Sequence, residues 1–316
     1  SELQVKNGSS SMEIKVPQVA DGEDSGVSMK VTEDGVELTV EPGKSVVIDG
    51  ITYTADTGAS MPDLKIVVDD TGKKIITSGA ATVPQGKTVY IKNTEGELIE
   101  ITKTGDNDTS SDTENITVSS EGRIDAEPGD TITIGDSSYS CNDESGDFDM
   151  ILDPETGKIT MENGAEVEIT NGNATFGNVS VSSTGDKTIT VEKHAGDATP
   201  KVTVPTGGNV TLGSNGKEVE IILPEAENGA TATSKEITMD ASGNIQIPLI
   251  QGEKVTIGGV TYTAEKTGTL TVSKETGAVV NPENPADAVV NPNEAVIDPD
   301  NFDKDNPLEC AFYISD

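Results

Sequence analysis

Apolar and polar residues alternate along this chain in short bursts of four to six. Val36–Val40, Leu64–Asp69, Lys87–Lys92, Glu97–Thr102, Thr131–Ile134, Lys187–Glu192, Glu218–Leu223 and Thr269–Ser273 all carry the period-two pattern of half-buried strands. Turn residues separate such bursts every 8–12 positions, and no window carries a helical period. The pattern predicts an all-β protein. Residues 1–28 are polar apart from Met12–Val16, which alternates, and they read as an edge strand or cap with a flexible lead.

A longer period overlies the alternation. Gly43, Gly86, Gly129, Gly164, Gly207 and Gly252 recur at intervals close to 43 residues, with one shorter step. Three residues after each stands Val46, Val89, Ile132, Val167, Val210 or Val255. Two residues further on come Ile48, Ile91, Ile134, Ile169, Leu212 and Ile257. Three before each stands Val40, Val83, Ala126, Met161, Val204 or Leu249. Such columns define an internal repeat over residues 29–280, about six units. Their strands are expected to point both members of each apolar pair into one core.

Three repeats continue in fuller form, as Val46–Tyr53, Ile132–Tyr139 and Val255–Tyr262, around Asp49-Gly50, Gly135-Asp136 and Gly258-Gly259. These dipeptides accept positive φ at low cost, so each marks a two-residue hairpin or a sharp corner between successive coils. Strand centres spaced near 21 residues suit coils with glycine corners. The expected architecture is therefore elongated, with a β-solenoid favoured over tandem small β-sandwiches. A propeller would need aromatic motifs to lock its blades, and these are missing.

Two segments break the pattern. Gly105–Asn115 is wholly polar and reads as a loop. Residues 281–316 form an acidic tail with four Asn-Pro pairs, whose missing N–H groups argue for an extended linker rather than a central strand.

Composition sharpens this picture. Only 3% of residues are aromatic and none is Trp, so the core must be thin layers of Val, Ile and Leu. The net charge is −35 and Arg123 is the sole arginine, which excludes nucleic acid as a partner because phosphate neutralisation needs clustered cations. Anionic membrane surfaces are excluded on the same ground, and no run of 18 apolar residues offers a membrane-inserting helix. No signal peptide or anchor is legible, and Ser1 reads as a mature or trimmed start.

Catalytic material is scarce. His194 is the only histidine and lies in a turn-like stretch, so neither a Ser-His-Asp site nor a zinc site can be assembled. Asp69-Asp70 has no basic neighbour, and Arg123 reads as a lone turn residue. Cys141 shares a repeat column with Ala55 and Ala264 and reads as a core thiol rather than as the partner of Cys310. Cysteine supplies no disulfide framework. Lys-to-Asn crosslinks, as in surface pilins, need a buried lysine facing an asparagine beside a carboxyl group, and no such pairing is legible.

Calcium is the one cofactor with donors to hold it. Asp298, Asp300, Asp303 and Asp305 form the first candidate site, and Asp143, Asp147 and Asp149 the second. The first resembles half of an EF-hand loop, with Asn306 where the turn glycine belongs.

The resulting expectation is a non-enzymatic, extracellular repeat protein of a bacterial cell surface, acting as stalk or adhesive module toward another protein or a glycan. The alternative is an extracellular carbohydrate-binding module, calcium-dependent in one version. Its aromatic platform would be the column Tyr53, Tyr139 and Tyr262, if that column faces solvent.

Overall fold

The computed structural model describes residues 2–7, 10–17, 24–55, 57, 62–106, 115–141, 147–214, 216–225, 233–240, 242–273, 277, 279 and 290–292. Among these every regular element is a strand, and none is a helix long and apolar enough to cross a membrane. The chain divides into two units, Ser1–Glu168 and Ile169–Asp316.

In the first unit one sheet runs, in spatial order, Val27–Thr32, Gly35–Val40, Leu64–Val68, Lys74–Ser78, Thr88–Lys92, Leu98–Asp106, Asp130–Ile134 and Ser137–Cys141. A second runs Ala80–Val83, Ile116–Ser119, Arg123–Ala126, Phe148–Leu152 and Ile159–Met161. A third holds Glu2–Asn7, Ser10–Lys15, Ser45–Ile48 and Ile51–Thr54, and a bridge from Ala55 to Ala81 ties it to the second. The alternating stretch near the N-terminus is thus a paired strand, with Ile14 opposite Ile48 and fully buried.

The second unit repeats the arrangement. One sheet holds Thr188–Glu192, Lys201–Pro205, Ser234–Met239, Ile245–Leu249 and Gly268–Val272. The other holds Asn173–Phe176, Val179–Thr184, Asn209–Ser214, Lys217–Ile222, Lys254–Ile257, Val260–Ala264 and Val290–Pro292. The last of these falls inside the segment read as linker. It pairs with Val260–Ala264 at the sheet's edge, the place in a sheet where proline is tolerated.

The repeat glycines are corners between sheets. Gly43 ends the strand Gly35–Val40 of one sheet and leads into Ser45–Ile48 of another. Around it the amide of Lys44 donates to the carbonyl of Glu41 at 3.0 Å, with Pro42 and Gly43 between them and φ of 72° at the glycine. That is a type II turn, which asks for Pro and then Gly at its centre. The same closure recurs from Lys87 to Pro84, from Asp130 to Glu127, from Gly208 to Pro205 and from Glu253 to Ile250. Every apolar residue of the three repeat columns is buried, none more than 8% exposed. Within each unit these residues form the core, as alternation requires.

A hairpin follows the corners at Gly43, Gly86, Gly129, Gly207 and Gly252, whereas after Gly164 the strands Glu166–Thr170 and Asn173–Phe176 enter different sheets. Ile48 pairs with Ile51, Ile134 with Ser137 and Ile257 with Val260, so the two-residue hairpin is the correct alternative in all three fuller repeats. Asp49 and Gly50 both hold positive φ, 51° and 80°, as a type I′ turn demands.

A second loop signature was not read from the sequence. Asp69, Asn93 and Asp240 each open a tight loop in which a glycine three residues on donates back to the first carbonyl. The side chain caps the loop: Asp240 Oδ1 accepts from the amides of Ser242 and Asn244 at 2.8 and 2.9 Å. Partial burial pushes the Asp69 and Asp240 carboxyls upward, but these donated hydrogen bonds outweigh it and hold both below the ordinary value of 3.8. A carboxyl depressed on folding stabilises the fold above its unfolded value and loses that contribution as pH falls through the folded one. Asp240→Asn is therefore expected to flatten the loss of stability as pH falls below the ordinary carboxyl value of 3.8. Urea titrations across that range measure it, and identical slopes in both proteins would remove Asp240 from the acid limb.

Candidate functional site

In the first unit, a cleft of about 460 Å³ opens between the Ile51–Thr54 strand, the loop before Lys74–Ser78 and the corner at Gly86. Its working side chains are Tyr53, Lys73, Lys74, Lys87, Thr88 and Tyr90. Asp69 shapes one wall by accepting from the Thr71 amide and hydroxyl and from the Lys73 amide at 2.7–2.9 Å. That loop presents Lys73 and Lys74 side by side.

The lysines occupy different environments. Lys73 Nζ lies 5.0 Å from the centre of the Tyr90 ring, a cation–π contact. Lys74 pairs with Asp49 at 2.9 Å. Exposed Lys87 makes no ion pair among the described residues and extends from the corner. Tyr90 donates to Glu100 at 3.2 Å, and burial first, then the Glu100 charge, raises its hydroxyl above the usual range. Tyr53 lines the cleft although none of its surface reaches bulk solvent, and its hydroxyl has no hydrogen-bond partner among the described residues. Burial, followed by the Asp49 charge, pushes that hydroxyl up to about 12.

Three cationic side chains converging on one cleft stand out in a chain of net charge −35. Beside them Tyr90 offers an aromatic face on which Lys73 already rests. Together they can hold a small anionic or polyhydroxylated ligand. The volume lies in the range of small-molecule pockets.

The sequence-derived residues fall elsewhere. Tyr53 and Tyr139 are buried and Tyr262 is half-buried, so their column faces inward and forms no surface stripe. Asp147 is exposed just before the strand Phe148–Leu152. Asp149 lies in that strand, buried, and accepts from Asn163 Nδ2 at 2.5 Å, with Arg123 3.6 Å away. Asp143, Asp298, Asp300, Asp303 and Asp305 lie outside the described residues. Among the described residues no group of three or more His, Cys, Asp or Glu side chains is arranged to hold a metal.

Arg123 corrects its reading as a lone turn residue. It begins the strand Arg123–Ala126 and is surrounded by Glu162, Asp125 at 2.7 Å and Asp149. The Glu162 hydrogen bond and the neighbouring carboxylates raise its pKa further. Asp125 shares the strand of Arg123, Asp149 lies on the paired strand Phe148–Leu152, and Glu162 directly follows the next strand, Ile159–Met161; the last two proximities are revealed by no single segment. His194 is exposed in a turn, and Cys141 is buried in the core.

Comparison with protein-family models, curated proteins and solved structures yields no match.

Proposed function

We propose that this chain is a non-enzymatic repeat protein of a bacterial cell surface, serving as a stalk or adhesive module outside the cell. The observation that carries the reading is the recurrent structural role of the repeat: the same turn at five of the six corners, and the same buried pair after all six. Repetition of this kind adds length through nearest-neighbour contacts, and strong acidity keeps neighbouring copies apart. The architecture proposed is elongated. Ladders are antiparallel wherever pairing is described, apart from the single parallel contact of Tyr90 with Ile75. That supports growth by stacked hairpins, the tandem-sandwich form, over a parallel-wound solenoid. Small-angle scattering tests it. A compact chain of this length has a radius of gyration of about 20 Å, and a clearly larger value is expected. A value at the compact figure would retire the stalk.

The cleft favours a second reading, a carbohydrate-binding module. Lysines beside a tyrosine face suit a saccharide bearing a carboxylate. Calorimetric titration with a uronic-acid oligosaccharide should give heat that Lys87→Ala reduces, while a neutral oligosaccharide gives less. Equal heats for both sugars, or none, would remove the cleft from consideration. Repeating the titration with calcium and with chelator tests the calcium-dependent version.

A further inference from the structure

We propose that Lys103 and Asp130 condense to an intramolecular amide that staples two successive hairpins of the first unit. Lys103 is wholly buried and Asp130 is 2% exposed, and the Lys103 Nζ contacts Asp130 Oδ1. By contrast, in the ion pairs Lys74–Asp49, Lys201–Glu192 and Lys235–Glu253 both side chains keep at least 15% exposure. Both members of the Lys103–Asp130 pair are withdrawn from water.

The fold does not need a charge at this place. Gly86 donates to the Lys103 carbonyl just as Gly43, Gly129, Gly207 and Gly252 donate to those of Ala55, Cys141, Leu223 and Ala264. Lysine therefore stands where the other corners place apolar or small side chains. Removing two charges from water carries a large solvation cost, and a pair seldom recovers it better than apolar packing would. A neutral amide in the same space relieves that cost.

Geometry favours the reaction. Lys103 lies on the strand Leu98–Asp106 and Asp130 opens the neighbouring strand Asp130–Ile134. Lys103 is opposite Ile132, so Asp130 is its diagonal neighbour on the same inward face. Backbone bonds from Gly86 and to Lys87 clamp Lys103 in place. The second carboxylate oxygen of Asp130 accepts the Glu127 amide at 3.1 Å. That donor is aimed where negative charge grows when nitrogen adds to the carboxyl carbon.

The step balances without a further reactant. A proton passes within the pair from ammonium to carboxylate, leaving amine and carboxylic acid. The nitrogen lone pair bonds to Cγ, and the Cγ–OH bond breaks. The leaving hydroxyl takes one proton from nitrogen, and one water is released. No group is oxidised or reduced.

Intact mass spectrometry of the full chain in denaturing solvent tests the bond, since mass is read whether or not a variant folds. The wild-type chain is expected about 18 Da, one water, below the mass of its sequence. Lys103→Arg and Asp130→Ala are expected at their full masses. Proteolysis of the wild type should yield one branched peptide containing both residues. A wild-type chain at full mass would overturn the proposal. So would a loss that persists in Lys103→Arg, which would locate the dehydration elsewhere, for instance at Asp49-Gly50.

Discussion

Gly122→Ala is expected to destabilise the first unit by about 3 kcal/mol or more, whereas Gly50→Ala costs about 1 kcal/mol. Both glycines hold φ near the same value, 90° and 80°. A methyl group in that region costs roughly 1–2 kcal/mol from its own backbone alone. The difference lies in what the new carbon meets. At Gly50 nothing stands within 4 Å. At Gly122 it would lie 2.0 Å from the Leu152 carbonyl oxygen. That neighbour is backbone, in the strand Phe148–Leu152, and is fixed by the Leu152 amide donating to the Gly122 carbonyl at 2.8 Å. Relief requires the strand to move, which opens the ladder between Arg123–Ala126 and Phe148–Leu152. Urea denaturation of both variants beside the wild type measures the contrast. Equal losses would mean that φ alone matters and that the close approach at Gly122 carries nothing.

Much of the fold was legible because its two periods act on different scales. Alternation of Val46, Ile48 and their counterparts sets which face of each strand is buried, and burial follows it in every repeat. The glycine three residues upstream marks where the chain leaves one sheet for the next. What repetition alone could not convey is the sense of pairing. A glycine corner looks the same whether the following strand stacks in parallel or folds back, and the hairpin dipeptides were the better guide. The strand at Val290–Pro292 was hidden for another reason. Proline argues against central strands, and this one occupies an edge.

The candidate site was less legible. Tyr53 and Tyr90 belong to different repeat columns, and Lys73, Lys74 and Lys87 come from a loop and a corner that only the fold brings together. The one local signal was the scarcity of cations: two adjacent lysines after Asp69-Asp70-Thr71-Gly72 are conspicuous in so acidic a chain. The buried pair left a stronger trace. Ile99, Ile101 and Lys103 share one strand register, as do Asp130, Ile132 and Ile134. Alternation alone therefore points both charges inward, and two opposite charges in inward register on neighbouring strands are a readable pattern.

That register leads to the second large expected effect. Asp130→Ala should cost about 3–5 kcal/mol, because it strands a lysine in the core with its acid removed. Adding Lys103→Leu should restore part of the loss. Leucine is the residue found at the corresponding place before Pro224, where Leu223 is 1% exposed. The double variant is thus expected to be more stable than Asp130→Ala alone, a departure from additivity that defines coupling between the two sites. The inequality holds whether the wild-type pair is ionic or joined as an amide. In both cases the single variant keeps a buried amine whose carboxylate has been removed, and the double variant does not. Chemical denaturation of the two variants, read at equal protein concentration, decides it. A double variant less stable than Asp130→Ala would show that Lys103 reaches another acceptor once Asp130 is gone, and that burial of the pair is not what governs this corner.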